Sequence, residues 1–127
     1  MIVLDASAGV SALLNAGMAR RLVSEQVLHV PHLVDIEIAS ALRRQVALRA
    51  LAPGDAQRAL RTWSRLGVIR YAAPSLLDRL WELREAIPAY DALYLALAEG
   101  LDFPLVTADA RLSQATGIRC AVTLVPN

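Results

Sequence analysis

The sequence predicts an α/β fold: one three-layer α/β/α domain around a central, mainly parallel sheet of four to five strands. Short strand-like apolar runs recur at residues 2–4, 27–30, 68–71, 105–106 and 121–125. Helix-period segments lie between them, the alternation expected of parallel strands joined by crossover helices. A length of 127 residues suits a single domain over 1–127, enough to bury roughly two-thirds of the surface an unfolded chain exposes.

After the first strand, residues 7–15 and 18–24 read as two short helices separated by Gly17. Pro31 stops the second strand, and a helix is expected from about 33 to 51, with Val34, Ile38, Ala41, Leu42, Gln45 and Leu48 on one side. Ala52-Pro53-Gly54-Asp55 is a turn signal. Ala56, Ala59, Leu60, Trp63 and Leu66 then follow at helical spacing, which places Trp63 in the core. A further helix is expected over 75–86, with Trp81 packed or held in a partner interface. Residues 89–98 are apolar nearly all round, the mark of a helix buried within the fold.

Composition excludes several classes. Hydrophobic residues make up 56% of the chain and mean hydropathy is +0.42, yet no apolar run approaches the ~20 residues that span a bilayer. The opening Met-Ile-Val-Leu-Asp has no basic region ahead of its apolar run, so no signal peptide is expected. A lone Cys120 rules out an intrachain disulfide and suits a reducing cytoplasm, where it serves as a small apolar residue near the last strand. Net charge is +1, with 13 basic residues that are all arginine. Arginine is the better bidentate phosphate ligand, although a GC-rich genome produces the same bias. His29 and His32 lack the further Cys or His a zinc set needs. Neither a Gly-rich phosphate loop nor a Ser-His elbow is present.

Four carboxylates stand out because each adjoins sequence that should be buried, where an unpaired charge is expensive. Asp5 ends the first strand, where ligands of open α/β sheets bind; helix capping is its ordinary alternative role. Asp109 follows the fourth strand as Asp5 follows the first, and the two converge if those strands are neighbours. Asp91 opens the apolar helix on its Tyr94-Leu95-Ala98 side and is the only charge between Glu85 and Glu99. Glu37 and Asp35 lie about 200° apart on one helix, so only one can face a given pocket. Glu37 is at the margin of the core stripe, with Ser40 one turn on and able to orient it. Asp35 is expected to face outward, favoured there by the helix dipole. Ser7 and Thr107 supply hydroxyls that could orient carboxylates or a metal-bound water.

Four converging carboxylates repel, each close pair by roughly 4 kcal/mol at ~4 Å and an effective dielectric of ~20. A hard divalent cation relieves this, and oxygen-only ligation suits Mg²⁺ or Mn²⁺ rather than Zn²⁺. Such sites hydrolyse phosphodiesters. Arg111, with Arg43 and Arg44, is a candidate contact to a nucleic-acid backbone.

Four blocks, in order, carry a resemblance that covers essentially the whole chain. They are Ile2-Val3-Leu4-Asp5-Ala6-Ser7, the run Pro31 to Leu42, the run Tyr90 to Ala98, and the run Leu105 to Leu112. The chain resembles the PIN-domain family, in particular the VapC-type toxins of bacterial toxin–antitoxin pairs. The resemblance implies a PIN-like fold with Asp5, Glu37, Asp91 and Asp109 as the catalytic and metal-binding acids and Ser7 and Thr107 in support; Ser40 stands where many relatives carry asparagine. It further implies an Mg²⁺- or Mn²⁺-dependent endoribonuclease that leaves a 5′-phosphate and a 3′-hydroxyl. A homodimer inhibited by a cognate antitoxin, and an RNA substrate, are expected with it. Two alternatives stay open: a catalytically silent PIN-like binding partner, and a DNA-directed nuclease of the same fold.

Overall fold

The computed structural model describes all 127 residues. Five short strands form one parallel sheet: β1 (Ile2–Leu4), β2 (Leu28–Pro31), β3 (Ile69–Tyr71), β4 (Leu105–Thr107) and β5 (Val122–Leu124). Their order is β3-β2-β1-β4-β5, so the chain winds outward from β1 on one side and then returns to β1's other edge with β4. The β1–β4 junction is the switch point of the sheet, and the two strands point the same way into it. β1 and β4 are buried throughout. All five expected strands are present, and β1 and β4 are neighbours.

Seven helices cover the sheet: α1 (Ala6–Leu14), α2 (Met18–Glu25), α3 (Val34–Ala47), α4 (Pro53–Arg65), α5 (Leu77–Glu82), α6 (Ala89–Leu101) and α7 (Ala110–Ser113). The α1–α2 break falls at Gly17, whose φ of 150° and ψ of −155° suit only glycine. α6 is buried from Ala92 to Ala98, as its all-round apolar sequence requires. Close packing of α1 on α3 depends on Gly9: a Cβ there would stand 3.1 Å from Ile38 Cδ1. No helix is long and apolar enough to cross a membrane.

Two helices differ from their expected extent. α3 stops at Ala47 rather than near 51, because Arg49 takes a left-handed φ of 60° and turns the chain; Leu48 is consequently 69% exposed. The expected helix over 75–86 divides into a 3₁₀ turn at Pro74–Leu76, α5, and turns in which both Ala86 and Ile87 donate to the Leu83 carbonyl. Pro88 disfavours helical backbone at Ile87, so a helix cannot continue into α6. Leu83 and Ile87 are buried, whereas Trp81 is 65% exposed with Arg84 stacked over its ring, so Trp81 is not a packing residue. Cys120 is partly buried at the core's edge.

Asp35 is a second correction. It is only partly exposed and is engaged by the fold: its Oδ1 accepts from Trp63 Nε1 at 2.8 Å and from Arg70 Nη2 at 2.9 Å, and its Oδ2 from Arg70 Nε at 2.8 Å. One carboxylate thus ties α3 to α4 and β3. Trp63 is core as expected, and its indole N–H needs an acceptor. On the other flank, Arg79 of α5 forms a bidentate pair with Glu99 of α6 and donates to the Gly117 carbonyl ahead of β5. His29 is buried, with Nδ1 2.7 Å from the Tyr71 hydroxyl, while His32 is exposed. The two imidazoles do not share a site.

Asp35→Asn should cost roughly 1–2 kcal/mol, the scale of charge-assisted hydrogen bonds at a partly exposed site. The Arg70 guanidinium holds the Asp35 carboxyl below the usual carboxylate range. Its stabilisation is therefore present above the ordinary unfolded value of about 4 and is lost as pH falls through the lowered native one. Urea unfolding of wild type and variant should converge toward acid pH; a gap that persists undiminished there would refute this role.

Candidate active site

Asp5 follows β1 directly, and its amide donates to the Val106 carbonyl of β4 at 2.9 Å. Its φ of −73° and ψ of 149° suit a helix N-cap, but its side chain makes no cap bond to α1. Instead Oδ2 accepts from Ser7 Oγ at 2.5 Å and from Thr107 Oγ1 at 2.8 Å. A hydroxyl has one proton, so two hydroxyls donating to Asp5 have none left for each other. Their 3.1 Å approach is then a contact without a hydrogen bond. Each hydroxyl also accepts from the chain after β4: Ser7 Oγ from the Ala108 amide at 2.9 Å, Thr107 Oγ1 from the Asp109 amide at 3.0 Å. The carboxylate, 6% exposed, is locked across the β1–β4 junction with Oδ1 unengaged.

Glu37 approaches from α3. Its Oε1 accepts from the Tyr94 hydroxyl of α6 at 2.5 Å. Burial pushes the Glu37 carboxyl above the usual range, the Tyr94 hydrogen bond opposes that, and the charges of Asp5 and Asp91 add to it. Asp91, in the first turn of α6, has no hydrogen-bond partner and does not cap its helix. Its carboxyl is also pushed up, by burial first and then by Asp5 and Asp109. The Tyr94 phenol is raised too, by burial and by Glu37.

Asp109 behaves differently. Its Oδ1 caps α7 through the Arg111 amide at 3.0 Å, and the Arg111 guanidinium holds both oxygens, Nη2 to Oδ2 at 2.7 Å and Nε to Oδ1 at 3.1 Å. Arg111 accordingly holds the Asp109 carboxyl below the usual range. The capping role is realised, and the Asp109 charge reaches Asp91. Arg111 and Asp91 also line one cleft, together with Ile87, Pro88 and Leu112.

The charges of Asp5 and Asp91 thus reach Glu37, and those of Asp5 and Asp109 reach Asp91; none of Asp5, Glu37 and Asp91 is in an ion pair, while Asp109 is paired with Arg111. The unengaged oxygens are Asp5 Oδ1, Glu37 Oε2 and both of Asp91. No three acids, histidines or cysteines are packed closely enough to enclose an ion on protein ligands alone. Larger clefts lie between α1, α2 and α4, and between α3 and α4, but neither is lined by a carboxylate. Ser7 and Thr107 sit where the sequence placed them. Ser40 does not: it is exposed, and the hydroxyl that reaches Glu37 belongs to Tyr94. The signal for Tyr94 was a phenol one turn after Asp91 in a helix otherwise apolar, since a buried tyrosine needs an acceptor.

Residues 2–118 match the family model for the PIN domain. The chain belongs to the PIN-domain family. Over 126 residues it is 55% identical to ribonuclease VapC9 of Mycobacterium tuberculosis strain H37Rv, covering 99% of each chain. PAE2754 from Pyrobaculum aerophilum superposes with a TM-score of 0.76 at 24% identity, covering 95% of this chain and 81% of that one. VapBC2 from Rickettsia felis, solved bound to a DNA fragment from its promoter, superposes at 0.69 with 17% identity, covering 98% and 99%. The sequence match to the VapC relative and the three-layer fold agree with the resemblance drawn from the four blocks. In this PIN domain the three acids without an arginine are brought together by β1, α3 and α6.

Removing one repelling, partly buried carboxylate should stabilise the metal-free fold. Asp91→Asn is expected to raise Tm by roughly 2–5 °C in EDTA. A scanning-calorimetry trace in which the variant melts at or below wild type would show that Asp91 does not carry that electrostatic cost.

Proposed function

We propose that this PIN domain, acting over residues 1–127 as one unit, is an Mg²⁺- or Mn²⁺-dependent endoribonuclease and the toxin of a toxin–antitoxin pair. The observation that carries the reading is the group Asp5, Glu37 and Asp91, none of them in an ion pair, at the sheet's switch point in a chain with 13 arginines. Identity of 55% to a VapC ribonuclease over nearly the full length supports the activity. The VapBC2 neighbour supports an antitoxin partner. A homodimer and a cytoplasmic setting belong to the same reading, with the single cysteine consistent with the latter.

The donor set fits a hard cation. It consists of carboxylate oxygens only, and since no three of the acids are packed closely enough to hold an ion between them, an ion there would keep several of its waters. Asp5 and Asp91 would be its firmest ligands, with Glu37 and Asp109 completing the acidic wall. A divalent ion held there supplies a water acidic enough to attack phosphorus near neutral pH, and charge neutralisation at the departing oxygen.

The remaining work falls to the chain. Ser7 and Thr107 fix the Asp5 rotamer so that Oδ1 faces the site, and the Ala108 and Asp109 amides fix the two hydroxyls. Tyr94 aims Glu37 from the core side and keeps that carboxylate hydrogen-bonded where water is scarce. Hydrolysis forms a bond from water oxygen to phosphorus while the bond to O3′ breaks. The 3′ oxygen leaves as a hydroxyl, taking up a proton, and the phosphate stays on the 5′ side of the downstream fragment.

Asp5→Asn and Asp91→Asn should each abolish Mn²⁺-dependent cleavage of a labelled single-stranded RNA and relieve growth inhibition on expression, with circular dichroism unchanged. Cleavage by either variant at the wild-type rate, or cleavage unaffected by EDTA, would remove the metal-site assignment. A DNA oligonucleotide of matched sequence, run in parallel, should stay intact; preferential DNA cutting would transfer the assignment to a DNA nuclease. Calorimetric titration of wild type with Mn²⁺ separates a nuclease from a silent binding partner, which would take up no ion.

A further inference from the structure

The acidic wall contains its own cation. Asp109 is the one member of the group whose two oxygens are both occupied, held by Arg111 from two residues away. The same guanidinium lies close enough to Asp91 for each to feel the other's charge. Arg111 sits in α7, a helix of four residues, and its side chain is 83% exposed, so nothing packs it in place. The pair contrasts with the other bidentate arginines of the fold. Arg70 on Asp35 and Arg79 on Glu99 are 30% and 18% exposed and cross-link distant elements. Arg111 cross-links nothing, since its partner is the N-cap of its own helix.

An exposed pair of this kind is weak and gives way readily to a stronger ligand for the carboxylate. A divalent ion is such a ligand. We propose that Arg111 is a built-in, exchangeable counter-cation that withholds Asp109 from the metal site until an ion displaces it. The proposal rests on the metal-site reading above and adds a positioning role for Arg111 toward the ion. In the free protein the guanidinium offsets the cluster's repulsion at Asp109; once an ion is bound, the displaced side chain is left at the cleft rim as a free cation suited to a phosphate.

The test is Mn²⁺ affinity, measured by isothermal titration calorimetry on the full chain, for wild type, Arg111→Gln, Asp109→Asn and the double variant. Loss of the competing arginine should tighten Mn²⁺ binding roughly three- to fivefold, the scale of an exposed ion pair. In the Asp109→Asn background the same Arg111→Gln change should have a clearly smaller effect, that of its charge on Asp91 alone, because the carboxylate it withholds is gone. A gain that persists undiminished in that background would mean that Arg111 acts only through its general field on Asp91, and the proposal would be overturned. It would likewise fail if wild type and Arg111→Gln bound Mn²⁺ equally. Uptake of Mn²⁺ by the Arg111→Gln variant but not by wild type would support it in its strongest form. Should neither take up the ion, the metal-site reading falls and this proposal with it, an outcome distinct from equal binding by both. Core packing is not at stake, because the Arg111 side chain lies outside it.

Discussion

The carboxylate of Asp5 sits almost fully buried with no cation against it, and it exists there only because two hydroxyls from different parts of the chain donate to it. That requirement constrains much of the rest. Thr107 can reach Asp5 only if β4 lies beside β1, parallel and in the register that pairs Leu4 with Val106. Ser7 can reach it only if the first turn of α1 begins at once after β1. The two hydroxyls in turn take the amides of Ala108 and Asp109, so the loop carrying the fourth acid is hung on the same network. A satisfied polar network at a buried position rigidifies its surroundings, whereas a half-satisfied one costs stability. Here the network is what gives the strand junction a single geometry.

Acids elsewhere in the chain show what these residues do when structure alone is at stake. Asp35 and Glu99 are partly buried, and each has a bidentate arginine that joins two or more elements. Asp55 is exposed and pairs with Arg58 within its own helix. With so many arginines available, leaving Asp5, Glu37 and Asp91 unpaired within one another's field is a cost that folding does not require. Burial and mutual repulsion both push Glu37 and Asp91 above the ordinary carboxylate range. Perturbed groups gathered at a switch point mark a functional site on physical grounds, independent of any family match.

Much of this was legible in the residues, and the failures share a cause. Strand positions followed from short apolar runs, and Asp5 and Asp109 were both seen to succeed strands that are adjacent in the sheet. The buried α6 followed from its all-round apolar sequence. Asp35 was misread because its partners lie 28 and 35 residues away, beyond anything a helical wheel displays. Ser40 was favoured for Glu37 because it is one turn distant on the same helix, yet the hydroxyl that arrives comes from 57 positions further on. Local periodicity shows which face of a helix is buried; it does not show what covers the other faces.

The four acids are not held with equal firmness, and the difference follows from the elements that carry them. Asp5 extends a central strand paired on both edges, while Glu37 and Asp91 stand on α3 and α6, whose buried faces are tied together at the site by Tyr94. Precision of this kind comes from rigid elements with satisfied supporting bonds. Asp109 sits instead at the cap of a four-residue helix, bonded to an arginine that is itself free of the core. Three acids without a paired cation and one with an exchangeable arginine divide the labour. The unpaired ones define where positive charge must come, and the fourth can trade a weak resident cation for a stronger one without disturbing the fold. A site built from four unpaired carboxylates would repel more strongly when empty, and the arginine on Asp109 lessens that strain where it costs the scaffold least.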